Sequence, residues 1–278
     1  MSSRATQIMK PKVVAIIQGR MSSSRLPGKI LADIAGQPML TRVCVRTSRA
    51  QTLDEVIFAT TTDASDDPVA EYCDFSGIPL TRGSQFDVLD RYYQTALKAK
   101  ADVVVRITAD CPVIDPELID NVVSTLLEDE YDFVCNRLPP PWTRTYPIGL
   151  DVEACTFKVL KKAWKEAKEP QHREHAMPYF YDGVQLSAVN RQLSEGVSPR
   201  GFKVALLNHI TDFGDYRWTV DTPEDLEFMR EVYSRFDGRD DFTWKEVLDL
   251  VHDEPKLMEI NAGVEHKTFK DIDKRALK

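Results

Sequence analysis

Through its first half the chain repeats one pattern: a short β-branched apolar run, a turn, then apolar residues at helical spacing. Val13-Val14-Ala15-Ile16-Ile17 reads as a buried strand ended by Gly19, and a helix is expected from about Pro38, a residue the first helical turn permits. A second strand is expected over 55–60, a second helix over 66–74 and a short third strand at Ile78-Pro79-Leu80. From Asp87, the residues Val88, Leu89, Tyr92, Ala96 and Leu97 recur at helical spacing. The run 102–107 is the clearest strand, followed by a helix over 116–127 and a strand over 131–135. Strands apolar on both faces need cover on both faces. The alternation therefore predicts an α/β fold, a mostly parallel mixed sheet with helices on each side.

The pattern then loosens. Leu138-Pro139-Pro140-Pro141-Trp142 cannot be a central strand and marks an excursion. Strands are expected over 150–154, near 184–189, over 202–206 and at Arg217-Trp218-Thr219-Val220, with a helix over 157–168. Thr222-Pro223-Glu224-Asp225 should open a helix running to about Phe236: Thr222 suits the N-cap, Pro223 the first helical position and Asp225 the first turn. The last 25 or so residues read as a polar, loosely attached tail.

The net charge is −8, which argues against a general nucleic-acid binder because phosphate neutralisation needs clustered Lys and Arg. It does not exclude a local basic site. The five cysteines are widely spread with no C-x-x-C spacing, so neither zinc nor a disulfide framework is expected and most should be core fillers. The start of the chain is polar without a signal-like apolar stretch, and no apolar run is long enough to span a bilayer. A reduced cytoplasmic protein, with no membrane partner, is the expectation.

The chemistry concentrates directly after the first strand. Gln18-Gly19-Arg20-Met21-Ser22-Ser23-Ser24-Arg25-Leu26-Pro27-Gly28-Lys29 carries three cations, three hydroxyls and two glycines at a strand's carboxyl end, where open α/β sheets bind ligands. Such a loop can offer backbone N–H groups, hydroxyls and positive charge to a polyphosphate. It is neither G-x-G-x-x-G nor G-x-x-x-x-G-K-[ST], which disfavours a dinucleotide site and a P-loop. A solvated polar turn is the bland alternative. At the end of the 102–107 strand, Thr108-Ala109-Asp110-Cys111-Pro112 offers a carboxylate for a magnesium ion over bound phosphates, or one that caps a turn. Asp221 sits at another strand end; it is either a helix-leading residue or, if the fold brings it to Asp110, half of a two-carboxylate magnesium site.

These residues resemble a known family. Arg20-Met21-Ser22-Ser23-Ser24-Arg25-Leu26-Pro27-Gly28-Lys29 looks like the signature of the cytidylyltransferases that make CMP-activated acidic sugars, the CMP-3-deoxy-octulosonate and CMP-acylneuraminate synthetases. The segments 146–153, 173–179 and 218–226 are most similar to the SpsF-like spore-coat polysaccharide branch. The resemblance covers roughly 12–236. It implies a nucleotide-diphospho-sugar transferase (GT-A-like, Rossmann-like) fold, with a catalytic region over 12–236, a substrate-binding and dimerisation excursion over about 138–210, and a C-terminal helix and polar tail over 237–278. The implied reaction joins CTP and an acidic sugar into CMP-sugar and pyrophosphate, with magnesium, in a homodimer. Gly19, Arg20, Ser23, Arg25 and Lys29 match the CTP loop, Arg82 a position near cytosine and ribose, Asp110 the first metal carboxylate and Asp221 the second. Where related synthetases carry Gly-Asp-Glu-Pro, this chain has Ala109-Asp110-Cys111-Pro112.

Lys29, Arg25 and Asp110 are the expected catalytic groups, neutralising phosphate charge. Tyr146, Asp151, Arg173, Glu174 and His175 are candidates for the sugar, with Arg173 positioned to pair its carboxylate. A surface ion pair is the alternative for Arg173 and Glu174. Asp151 and Glu153 share a strand face, expected to be solvated unless they bind sugar hydroxyls or a second metal. Asp87 and Arg91, one turn apart, are expected to pair. Trp164 is the expected inward anchor of a charged helix. A glycosyltransferase of the same fold using a nucleotide sugar, or a non-catalytic subunit, are the competing readings.

Overall fold

The computed structural model describes residues 10–265. In chain order the first half supplies β1 (Val13–Gln18), β2 (Asp33–Ile34), β3 (Gln37–Pro38), α1 (Met39–Thr47), β4 (Glu55–Thr61), α2 (Asp67–Ser76), β5 (Leu80–Gly83), α3 (Val88–Ala99), β6 (Val103–Thr108), α4 (Pro116–Glu128) and β7 (Phe133–Cys135). The second half adds β8 (Glu153–Thr156), α5 (Phe157–Glu166), α6 (Pro170–His175), α7 (Pro178–Tyr181), β9 (Ser187–Ala188), β10 (Leu193–Val197), β11 (Lys203–Leu207), α8 (Pro223–Arg235) and α9 (Trp244–Asp253).

Nine strands form one sheet in the order β5-β4-β1-β6-β8-β7-β11-β10-β9. β5, β4, β1 and β6 run parallel, and β8 enters antiparallel beside β6, with Arg106 opposite Glu153. The five residues 13–17 of β1 are fully buried, as a central strand covered on both faces requires. One core cluster packs α1, α4, α8 and α9 against one face of the sheet; a second packs α3, α5, α6 and α7 against the other. The expected mostly parallel mixed α/β sheet is what the chain forms.

Several expectations change. Residues 217–220 are not a strand: Arg217 makes an isolated bridge to Ile148, Trp218 N–H donates to Ile148 O at 2.7 Å, and Val220 N–H donates to Asp110 O at 2.9 Å. Two neighbours share this extended segment, so no continuous ladder forms. The strand expected at 150–154 begins only at Glu153, because the Asn136 side chain takes Leu150 O and Val152 N–H out of the ladder. The third strand runs from Leu80 to Gly83; β9 and β11 form where strands are expected near 184–189 and over 202–206, and β10, which is not expected, joins them into an antiparallel edge. Arg173 and Tyr179 stand on separate short helices, α6 and α7, divided at Ala176, whose φ is 62°. The first described part of the expected tail is packed: Leu257 is buried in the first core cluster, after α9, whose Trp244, Val247, Leu248 and Val251 are buried there too. Residues 266–278 of the expected tail lie outside the described residues. All five cysteines are free and buried, as expected of core fillers. Among the described residues no helix is long and apolar enough to cross a membrane.

Candidate active site

The loop after β1 is fixed at both ends. At Gly19 a Cβ would lie 2.7 Å from Ala109 Cβ and 2.9 Å from the Phe58 ring, so only glycine lets the chain leave β1 between β4 and β6. Beyond it, Met21 N–H donates to Asp66 at 2.7 Å. Asp66 is buried and also accepts from Thr60 Oγ1, Thr61 N–H and the Thr61 hydroxyl, tying the loop to the end of β4. Sequence reading used Asp66 only to start a helix; the signal available was an acid just after a Thr-rich strand end. Gly28, at φ 75°, donates to Met21 O at 2.8 Å and closes the loop onto a single 3-10 turn, Lys29–Leu31.

That turn delivers Lys29 to the centre of the site. Its ammonium donates to Asp110 Oδ2 at 2.8 Å, Asp221 Oδ1 at 2.9 Å and Val220 O at 2.8 Å. Asp110 and Asp221 thus meet, although they follow different elements far apart in sequence. The backbone contact of Val220 with Asp110, reinforced by Thr219 Oγ1 donating to Asp110 O at 3.1 Å, brings them together. Asp221 also receives Arg25 at 2.8 Å and Arg217 at 3.0 Å. Arg217 further clamps Asp225, which closes a capping box with Thr222 at the start of α8 and accepts from Asp221 N–H at 2.9 Å.

Burial alone would push the Asp221 carboxyl up; Lys29, Arg25 and Arg217 outweigh it and hold its pKa at about 2. Burial likewise opposes the charge on Lys29, and the two carboxylates more than compensate, raising its pKa above the ordinary lysine value. Lys29 is therefore an ammonium across the neutral range. Cys111, beside Asp110, is pushed well up by burial and stays a thiol. Among the described residues no group of three or more His, Cys, Asp or Glu is arranged to hold a metal. Two convergent carboxylates do fit magnesium, which keeps waters and substrate phosphate oxygens and takes only one or two protein carboxylates. They do not form an all-protein cage.

Other candidates scatter. Ser23 accepts from Leu26 N–H at 3.4 Å, a bond within the loop. Arg82 points back to Thr61 O at 2.8 Å and Asp63 O at 3.0 Å and pairs with Asp67, fastening β5 to the loop after β4. Arg20, Glu174 and His175 line a cavity of about 230 Å³ with Gln18 and Thr108, at the carboxyl ends of β1 and β6. Tyr146 is away from it, packed edge-on against Trp244 and His209, and burial raises its phenol pKa. Asp151 pairs with Arg144 and Arg137. Glu153 is not on a solvated face: it is 2% exposed and paired with Arg106. Asp87 does not pair with Arg91; it caps α3 and takes Arg173, which also donates to Trp164 O at 2.8 Å, while Arg91 donates to Ser84 O. Trp164 anchors as expected, stacked on Tyr93 and donating to Asp90.

Residues 14–246 match the sequence profile of the family described as cytidylyltransferase. The chain belongs to the cytidylyltransferase family. As a cytidylyltransferase it is similar to the 3-deoxy-manno-octulosonate cytidylyltransferase of Geobacter metallireducens, 38% identical over 81% of this chain and 99% of that one. It is also similar to the spore coat polysaccharide biosynthesis protein SpsF of Bacillus subtilis, 28% identical over 87% of this chain and 95% of SpsF. Among solved structures, a cytidylyltransferase from Leptospira borgpetersenii superposes with a TM-score of 0.80 at 28% identity, covering 92% of this chain and all of that one. The fold, the enzyme class and the family resemblance read from the loop and the Asp221 segment are thereby established for this cytidylyltransferase.

Proposed function

We propose that this cytidylyltransferase activates an acidic sugar of the octulosonate or nonulosonate type, joining CTP and the sugar into CMP-sugar and pyrophosphate for surface polysaccharide or glycan synthesis. The observation that carries the proposal is the convergence of Lys29, Asp110 and Asp221 at the end of a loop holding Arg20 and Arg25. A triphosphate brings several negative charges to one place, and here Arg20, Arg25 and Lys29 stand on one loop beside the two carboxylates. The similarity to a named octulosonate cytidylyltransferase and to a spore-coat polysaccharide protein supports the sugar class.

The sugar hydroxyl oxygen forms a bond to the α-phosphorus as the bond to the bridging oxygen of pyrophosphate breaks, and the hydroxyl proton passes to solvent water. There is little covalent work for side chains, so positioning and charge stabilisation supply the rate. Lys29 and Arg25 neutralise charge on the α-phosphate and the leaving pyrophosphate. Arg217 holds Asp221 in place, and Asp110 is fixed by its backbone contact to Val220. Asp110 and Asp221 are the residues that would hold a magnesium ion, which would supply Lewis-acid stabilisation of that charge. The homodimer implied by the resemblance is part of the same proposal; the exposed Val189 and Val197 around the β9–β10 edge support it.

The test is pyrophosphate release with CTP and magnesium over a panel of acidic sugars including 3-deoxy-manno-octulosonate and N-acetylneuraminate. Release that depends on both CTP and an acidic sugar is expected. Release with neutral sugars alone would overturn the substrate class.

A further inference from the structure

Arg106 is out of place in its strand. β6 reads Val103-Val104-Val105-Arg106-Ile107-Thr108 and lies between β1 and β8 in the middle of the sheet. A guanidinium there is costly unless it is paired and its donors are used. The register provides one partner: Glu153, directly opposite on β8, takes Arg106 Nη1. The pairing is incomplete, because the buried Nε–H of Arg106 has no acceptor. A strand of this kind held only for stability would be better served by another valine, since replacing a buried ion pair with packed apolar groups is often neutral or stabilising. The side chain is also not sealed. It remains 18% exposed, and its open side lines the 230 Å³ cavity.

The cavity's place in the site gives this meaning. Arg106 and Thr108 are two residues apart on one strand and so share a face, and both line the cavity; Asp110 follows two residues later. Its wall includes a second guanidinium, Arg20, from the loop after β1. Glu174 and His175 face it from the end of α6. The cavity lining therefore holds two planar cations together with Glu174 and His175, and Thr108 in it stands two residues before Asp110. Arg173, which the sequence offers as the carboxylate receptor, is occupied by Asp87 and Trp164 O.

We infer that Arg106 is the specificity-determining residue for the acceptor: its guanidinium binds the carboxylate of the acidic sugar in this cavity. With Nη1 on Glu153 and Nε buried, Nη2 is the donor left for a ligand, and a charge-assisted hydrogen bond from it to a carboxylate is short and strong. The sugar's acid end docks at the sheet, beside Gln18 and Thr108. On this reading CTP is held by the loop after β1 and the Lys29 cluster, so loss of Arg106 is expected to change use of the sugar and to leave CTP binding as it was. The inference rests on the proposed cytidylyltransferase reaction with an acidic sugar.

The test compares wild type, Arg106→Gln and the charge-balanced double variant Arg106→Gln/Glu153→Gln, the last guarding against misfolding from an unpaired buried Glu153. Two quantities are measured: CTP affinity by titration calorimetry, and steady-state kinetics of pyrophosphate release with 3-deoxy-manno-octulosonate and N-acetylneuraminate. Both variants are expected to keep CTP affinity within about threefold while the KM for the acid used by wild type rises about tenfold to a hundredfold, the weight of one charge-assisted pairing. Unchanged sugar KM in the folded double variant overturns the role of Arg106 and leaves the reaction standing. Weakened CTP affinity with unchanged sugar KM assigns the cavity to the nucleotide and also overturns it. A wild type that releases no pyrophosphate with either acid overturns the substrate reading itself, and this inference with it.

Discussion

At the residue scale the site turns on Lys29, the cation that contacts both carboxylates and holds them together. Removing it takes away a preorganised positive charge and leaves Asp110 and Asp221 facing each other. Lys29→Ala is expected to lower turnover by on the order of a hundredfold or more, the usual scale for losing one such group, as is Asp110→Ala. Steady-state pyrophosphate release checks this, and near-normal turnover by either variant refutes the assignment. Asp221 adds a pH signature. Its folded pKa of about 2 lies below its ordinary 3.8, so its ionised form stabilises the fold fully above about pH 4. That contribution is lost as pH falls toward 2. Urea unfolding of wild type and Asp221→Asn should therefore show a gap in stability that narrows between pH 4 and pH 2; a gap constant over that range contradicts the account. The loop and Asp110 were legible because each follows a strand end, and Asp221 because it directly precedes the helix-capping pattern of Thr222 to Asp225. Asp66 and the Arg106–Glu153 pair were not, because each acquires its meaning from strand register and from partners on other elements.

At the scale of elements, local signals did well where the partners are local. Thr222 and Asp225 form the capping box that their spacing suggests, with Pro223 leading the helix. Residues 217–220 failed as a strand for the opposite reason: their hydrogen bonds go to Ile148 and Asp110, and no local pattern announces two separate neighbours. The same applies to α6 and α7, which one positive φ at Ala176 separates. The capping box has a role beyond α8, since it fixes Asp221 through Asp225. Thr222→Ala removes the side-chain acceptor for Asp225 N–H and is expected to cost about 1 kcal/mol. For a chain of this size that is a fall in melting temperature of about 3 °C, measurable by calorimetry. No change in melting temperature would mean that the rest of the Arg217–Asp225 cluster holds the helix start without the cap.

For the whole molecule, the net charge of −8 and a triphosphate ligand are compatible because Arg20, Arg25 and Lys29 are confined to one loop; a long polyanion would have to cross the acidic remainder. The core shows a similar locality. Its first cluster does not end with α8 but takes in α9, so the C-terminal region is structural. Two buried arginines of α1 secure the connection: Arg42 donates to Gly238 O and Asp240, and Arg46 to Asp240 O and Phe242 O. Asp115 caps α4 with one oxygen and receives Trp244 N–H at the start of α9 with the other, joining the strand that carries Asp110 to the end of the chain. These joins escaped the sequence reading because buried arginines satisfied by carbonyls look like surface charge in a helix. Trp244 tests them. It is 2% exposed and packs edge-on against Tyr146, His209 and Phe213. Trp244→Ala should cost about 3–5 kcal/mol, the range for emptying a large aromatic site in a core, and lower the melting temperature by about 10 °C. A loosely attached C-terminal region would show almost no change, and urea unfolding with an unaltered midpoint would restore that view.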